Sequence, residues 1–186
     1  MEEFTDICIA IRGLSTCWLS CSLLKATAST QEARIMHETT WASETMSGVP
    51  ELDQLHRNLF AALDRLASAT DEDFCAGYDD FVSQLEHAFR MEEEWMDDID
   101  FPVFKVHQEQ HARVLGGLHA THGRIEEGDV KLGREVVEKL LPQWFALHIS
   151  TMDEALALAM QVAQAEAVLP AAYGNTQATT PYALTP

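Results

Sequence analysis

Apolar residues recur at helical spacing through most of the chain, and strict alternation of apolar and polar residues is nearly absent. A period of about 3.6 residues is typical of amphipathic α-helices, whereas alternation is typical of strands. Four such segments are separated by short breaks, which favours antiparallel packing of neighbouring helices. We therefore predict an all-α protein that folds as an up-and-down antiparallel four-helix bundle.

Proline and acidic residues mark where these helices begin. Pro50, followed by Glu51 and Asp53, is typical of a helix N-terminus, because proline fixes a helical φ there and carboxylates interact favourably with the helix dipole. Pro142 lies inside the fourth segment and predicts a kink or a false start, because it removes a backbone donor. The predicted helices span about residues 50–67, 71–98, 102–127 and 131–164.

The chain divides into a predicted bundle and two flanking segments. Residues 36–165 contain the helical pattern and are predicted to form one four-helix domain. Residues 1–35 are an N-terminal extension of uncertain structure, in which Arg12 interrupts an apolar stretch that acidic residues precede, unlike a signal peptide. The chain carries no charge after Glu166 and is rich in proline there, so residues 166–186 are predicted to be a disordered tail.

The chain is strongly acidic, with 12 Lys and Arg residues against 30 Asp and Glu residues and a formal net charge of −18. Such a charge repels phosphate backbones and anionic lipid, so nucleic acid and membranes are not expected partners. The four cysteines do not have the spacing of a disulfide framework. We expect a cytoplasmic protein that is a monomer or a weak homo-oligomer.

Each predicted helix carries a histidine or a carboxylate in the stripe that otherwise faces the core. These residues are His56 on the first helix, Glu92 on the second, His107 and His111 on the third, and His148 on the fourth. Asp153 adds a carboxylate five residues after His148. Burying such groups without partners costs on the order of several kcal/mol each. A cation that collects them would explain why all four helices carry one.

Each candidate also has a simpler interpretation. A single buried histidine is more often hydrogen-bonded than metal-bound, Glu92 belongs to an acidic run, and Asp153 lies away from the His148 face on an ideal helix. The occurrence of donors on every helix favours a metal site. Mixed imidazole and carboxylate donors suit iron, manganese or zinc, and six donors are too many for one tetrahedral zinc. A bundle with one structural zinc ion, or with no metal, is the alternative.

Four segments of the chain match a known metal-binding family. They are Trp41 with Gly48–His56, Phe89–Met96, His107–His111 and Trp144–Asp153. On these segments the chain resembles the hemerythrin family of HHE cation-binding domains, including its single-domain bacterial members, over about residues 36–165.

The hemerythrin resemblance implies a bundle that holds two non-haem iron ions. It implies that one iron binds His107, His111 and His148 and that the other binds His56. It further implies that Glu92 and Asp153 bridge the two irons together with an oxo or hydroxo group, and that dioxygen binds at an open position of the second iron.

The second helix departs from the hemerythrin pattern. The family places a histidine four residues before the bridging glutamate, but Ala88 occupies that position here and His87 lies one residue earlier. A π-bulge between His87 and Glu92 would turn the ring inward. On a regular helix, which we favour, His87 points to solvent and the second iron keeps only His56 and the bridges.

The resemblance makes dioxygen binding, for carriage, storage or sensing, the expected function, and we expect a non-catalytic protein rather than an enzyme. The alternative is a di-iron oxidase or peroxidase, or an iron-handling protein, because the missing histidine leaves an additional open position on one iron.

Overall fold

The computed structural model describes residues 47–173. Three helices come first: α1 (Pro50–Ala67), α2 (Asp71–Asp98) and α3 (Phe104–Glu126). A long helical rod follows, made of α4 (Val130–Glu135), α5 (Leu141–His148) and α6 (Glu154–Tyr173). Two π-helical turns, Val136–Leu140 and Ile149–Asp153, join its three parts. Residues 47–173 contain no strand, and the predicted all-α four-helix bundle is confirmed.

Polar side chains organise the start of α1. Asp53, in the first turn, accepts hydrogen bonds from the backbone N–H and the hydroxyl of Ser47 at 2.7 and 2.8 Å. Gly48 has φ +78, and a Cβ there would lie 3.2 Å from Nε2 of Gln161. The Gln161 amide donates to the Ser47 carbonyl at 3.0 Å, so the chain before α1 is held against α6.

The rod is continuous across Pro142, and the predicted irregularity takes the form of a π turn directly before it. The N–H of Leu141 bonds to the carbonyl of Val136, five residues back. Pro142 occupies the first turn of α5, where its missing N–H and its ring are tolerated.

The fourth helix ends later than the sequence pattern predicts. It continues to Tyr173 rather than ending near Gln164, so residues 166–173 are helical and not part of a disordered tail. Three of these eight residues are alanine, and Glu166 and Leu169 also have high helix propensity, which outweighs the loss of amphipathic periodicity and the presence of Pro170. The predicted extension at residues 1–35 and the tail beyond residue 173 lie outside the described residues.

The core consists of apolar layers above and below one polar layer. A large cluster includes Phe74, Tyr78 and Phe89. Two small clusters near the other end include Leu52 and Met96. Between them lies the polar layer, which we define as His56, Glu92, His107, His111, His148 and Asp153. In residues 47–173, no helix is both long and apolar enough to cross a membrane.

Candidate metal centre

All six donor residues predicted from the sequence are buried in the polar layer. None of their side chains is more than 3% exposed. Their ligand-type atoms form two groups, each within 4.8 Å, that share Glu92. The group on the α3 side contains Glu92, His107, His111 and His148, and the group on the α1 side contains His56, Glu92 and Asp153. The structure therefore brings the predicted residues together.

Three imidazole rings converge in the α3-side group. The Nε2 atom of His148 lies 3.1 Å from Nε2 of His107 and 3.1 Å from Nε2 of His111. The i, i+4 spacing on α3 places the two α3 rings on one helix face, as the sequence predicts. With a nitrogen-to-metal distance of about 2.1 Å, such separations are those of neighbouring ligands around one ion.

The two carboxylates lie between the groups. Asp153 has Oδ1 at 3.1 Å from Nε2 of His107, and its other oxygen lies 3.0 Å from Nε2 of His56. Glu92 has Oε2 at 3.2 Å from Nε2 of His111 and 3.5 Å from Nε2 of His107. Asp153 thus contacts rings on α1 and α3, whereas both of these Glu92 contacts are to rings of α3.

The π turn Ile149–Asp153 brings Asp153 into the site. On an ideal α-helix Asp153 would lie away from the His148 face, and the solvated position expected from that geometry is wrong. The turn adds one residue to the helical repeat, with the N–H of Glu154 bonded to the carbonyl of Ile149. Asp153 is consequently 2% exposed and lies 3.3 Å from the His148 ring.

Two polar side chains hold donor rings from outside the polar layer. Gln110, itself buried, places its amide oxygen 3.1 Å from Nδ1 of His148. Glu93 places a carboxylate oxygen 3.2 Å from Nδ1 of His111. An Nδ1–H that donates to such an acceptor leaves Nε2 with a free lone pair. The sequence pattern does not single out either residue, because each depends on contacts between helices.

Aromatic rings fix the orientation of the same two imidazoles. Phe89 stacks on His111 with ring centroids 3.7 Å apart, and Trp144 stacks on His148 at 4.3 Å. These large apolar faces also keep water from this side of the site.

The hydrogen-bonding pattern leaves buried acceptors facing one another. The acceptors at Gln110 and Glu93 imply that His148 and His111 both direct lone pairs toward a contact of 3.1 Å. Among the described residues, no donor meets Glu92 Oε2 or Asp153 Oδ1 in good hydrogen-bond geometry, and histidine Nε2 atoms lie 3.1–3.5 Å from these oxygens. Buried acceptors without donors are costly, and a cation between them removes this cost. The residues present therefore fit a bound metal ion.

Electrostatics in the polar layer keep both carboxylates ionised. Burial and the charge of Asp153 raise the pKa of Glu92, but close contacts with the His107 and His111 rings outweigh them and the pKa lies below its usual value. Burial also raises the pKa of Asp153, but electrostatic attraction to His148 and close contacts with the His107, His148 and His56 rings hold it well below its usual range. Two buried negative charges attract a cation.

The protonation tendencies of the rings differ. Burial lowers the pKa of His107, but close contacts with the Asp153 and Glu92 carboxylates outweigh it and raise the pKa to about 9. Burial lowers the pKa of His148, which favours the neutral ring that a metal requires. In the metal-free site, the positive charge of protonated rings such as His107 therefore compensates the carboxylates in place of a metal ion.

Comparison with known proteins agrees with this donor set. Residues 47–159 match the family model described as Hemerythrin HHE cation binding domain, which is more than half of the chain. The chain belongs to the hemerythrin family. A bacteriohemerythrin from Ralstonia nicotianae (strain ATCC BAA-1114 / GMI1000) is 34% identical over 113 residues, which cover 61% of this chain and 82% of that relative. No solved structure gave a significant match.

The structure also shows how α2 is arranged where this chain has Ala88 in place of the histidine of the hemerythrin pattern. The helix is a regular α-helix from Asp71 to Asp98, so the π-bulge considered between His87 and Glu92 is absent. His87 is exposed, and Ala88 is buried at 3% exposure one turn before Glu92. The position where the family pattern has a histidine therefore carries only a methyl group, as the regular-helix interpretation predicts.

Proposed function

We propose that the polar layer binds two iron ions and that the loaded protein binds dioxygen. His107, His111 and His148 would hold one iron, His56 would hold the other, and Glu92 and Asp153 would supply carboxylate ligands to both. The observation that carries this proposal is the convergence of four imidazoles and two ionised carboxylates, all buried, in a chain of the hemerythrin family.

The donor chemistry supports iron over softer metals. Imidazole and carboxylate are the donors of the layer, and no thiolate takes part among the described residues. Manganese accepts the same donors, and the family membership favours iron. When bound, the iron pair supplies the two electrons that dioxygen binding requires.

The surrounding side chains suit a gas ligand. Phe89 and Trp144 cover two of the donor rings, and Phe60 packs edge-on against Phe145 at 5.8 Å. Such apolar walls admit dioxygen and exclude water, which slows the oxidation of the metal site by solvent-assisted routes.

Iron content and oxygen-dependent absorption test the proposal. The full-length protein is loaded with Fe²⁺ without air, its iron is counted, and its visible spectrum is followed as dioxygen is added and removed. Two irons per chain and a band that appears and fades with dioxygen are expected. Without iron binding, the proposed function is wrong.

A matched pair of histidine variants controls for non-specific binding. His107→Ala removes a buried donor and is expected to reduce the iron content and abolish the band. His119→Ala removes an exposed ring on the same helix, which contacts Glu86 at 2.9 Å, and is expected to leave both unchanged.

An oxidase, peroxidase or iron-handling protein is the second candidate, and the methyl group at Ala88 favours it. With His56 as its only imidazole, the second iron has additional open positions, which suits turnover of oxygen species or release of iron. Steady consumption of hydrogen peroxide would identify a peroxidase. Bleaching to the oxidised form, with no band that fades on removal of dioxygen, would exclude reversible carriage.

A further inference from the structure

The two metal positions of the polar layer have unequal donor sets. The α3-side position has three imidazoles from two helices, and the α1-side position has only His56. Glu92 belongs to both groups of donor atoms, and Asp153 contacts rings of both, His56 at 3.0 Å and His107 at 3.1 Å. We propose that the α3-side position retains its iron whereas the α1-side position exchanges its iron readily. This inference rests on the proposed di-iron function.

Helix α2 adds no imidazole to the α1-side position. The side chain of Ala88 has no donor, although it is buried one turn before Glu92. His87 lies on the exposed side of a regular helix and cannot reach the layer without a change of helical register. The α1-side position therefore depends on His56 and the two carboxylates.

The nearest additional carboxylate on α1 is already occupied. Asp53 is buried one turn before His56, but its Oδ1 atom accepts two hydrogen bonds from Ser47. It belongs to neither group of converging donor atoms. Moving it to the metal would break the N-terminal structure of α1.

The hydrogen bonds that orient the donor rings also favour the α3-side position over the α1-side position. His148 and His111 are held at Nδ1 by Gln110 and Glu93. The buried Nδ1 atoms of His56 and His107 have no hydrogen-bond partner among residues 47–173, so two of the three α3-side rings are held at Nδ1 and the α1-side ring is not. Partners at Nδ1 orient a metal-binding ring and raise its basicity, and losing one such partner typically costs about 10- to 100-fold in affinity. With fewer rings and no such partner, the α1-side position is expected to bind at least about 100-fold more weakly.

Anaerobic titration of the metal-free, full-length protein with Fe²⁺ tests the inference. Calorimetry should resolve two binding steps that differ in affinity by at least about 100-fold. A soluble Fe²⁺ chelator should then remove one iron per chain much faster than the other. Two irons that bind with equal affinity and leave together would overturn this inference and leave the di-iron proposal intact. Failure to bind iron would overturn the proposed function itself.

Three variants assign the two steps to positions. His56→Ala should abolish only the weaker step and leave the affinity of the tighter one unchanged. Ala88→His should strengthen the weaker step by supplying the second imidazole. His87→Ala is the matched control and should change neither step, because its ring is exposed. Loss of the tighter step in His56→Ala would contradict the assignment, and this outcome does not depend on whether Ala88→His folds.

Discussion

Gln110 lies outside the polar layer, yet its amide oxygen determines which nitrogen of His148 is available. The amide oxygen accepts from Nδ1 of the ring and leaves Nε2 directed at the other two histidines. Gln110 is 5% exposed, so water does not readily replace this contact. Its side chain thus acts on the metal through another residue, as a positioning residue.

Replacing Gln110 with leucine should weaken the tighter iron by about 10- to 100-fold, because the His148 ring loses its orientation and its defined tautomer. Gln84→Leu, on the exposed side of α2, is the control and should leave iron affinity unchanged. Anaerobic Fe²⁺ titration of both variants measures this effect. Equal affinities in the two variants would show that Gln110 has no positioning role.

The metal-free protein should lose stability as the pH rises from about 6.5 to about 9. Burial lowers the pKa of His107, but close contacts with the Asp153 and Glu92 carboxylates raise it to about 9 in the folded chain. A pKa raised on folding contributes stability that is fully present below the unfolded value of about 6.5 and is lost as the pH passes the folded value. Burial also lowers the pKa of His56, but the hydrogen bond to Asp153 and nearby carboxylate charges outweigh it, so the net shift is upward and acts in the same direction.

Urea unfolding at pH 6.5 and pH 9, with and without iron, measures this dependence. Iron bound to the ring nitrogens replaces the protons there. The free energy of unfolding of the iron-loaded protein should therefore not fall between these two pH values. A metal-free protein whose stability rises over this range would contradict the protonation scheme.

At the scale of the helix, the π turn Ile149–Asp153 determines which side chains of the rod face the site. It lets two residues five apart share a face, which a regular α-helix does not. Such a turn corresponds to one inserted residue, and its hydrogen bonds span one residue more than those of the flanking helices.

Deleting exposed Thr151 should convert this turn to a regular α-helix and leave the site intact. The shortened spacing from His148 to the aspartate becomes i, i+4, which keeps both on one face. The main loss is the hydrogen bond from the Thr151 hydroxyl to the Leu147 carbonyl, worth about 1 kcal/mol. Circular dichroism and iron content should therefore resemble those of the unmodified protein.

Deletion of Ser83 provides the contrast. Ser83 is also exposed, but it lies in the regular helix α2, so its removal rotates every later residue by about 100° and turns Glu92 away from the layer. This variant should lose iron binding and unfold at lower temperature. If both deletions are equally damaging, the π turn does not absorb a residue as described.

Most of the helical organisation was predictable, because it depends on local periodicity and on the ends of helices. Pro50–Ala67 and Asp71–Asp98 match the predicted bounds of the first two helices. The donor residues were recognisable as polar interruptions of apolar stripes. The inward position of Asp153 was not predictable from ideal helix geometry, and Gln110 acquires its role only through contact with another helix.

At the scale of the whole molecule, the polar layer divides an otherwise apolar core. Six ionisable side chains are buried between the large apolar cluster and the two smaller ones. Without a cation the charges of the layer are compensated mainly by hydrogen bonds and ion pairs among its own members, to which the contacts of Gln110 with His148 and of Glu93 with His111 are added. Such buried ionic groups contribute little net stability, because their desolvation offsets their attraction.

Removing the metal should therefore lower the thermal stability of the bundle. An ion present at 100 times its dissociation constant stabilises the folded state by about 2.7 kcal/mol. For a domain of this size, that corresponds to a rise of roughly 10 °C in Tm per ion. Calorimetric scans with Fe²⁺ and with a chelator measure the difference. Equal melting temperatures would show that the layer does not bind the ion in the folded state.

The burial of the polar layer also has a kinetic consequence. None of the six side chains is more than 3% exposed, and Phe89 and Trp144 cover two of the rings. An incoming ion or a chelator reaches them only when neighbouring helices separate transiently. The rate of this opening is an upper limit on the rate of metal entry and exit. Beyond a certain chelator concentration, adding more should no longer accelerate release of the weakly held α1-side ion, and the α3-side ion should leave more slowly still.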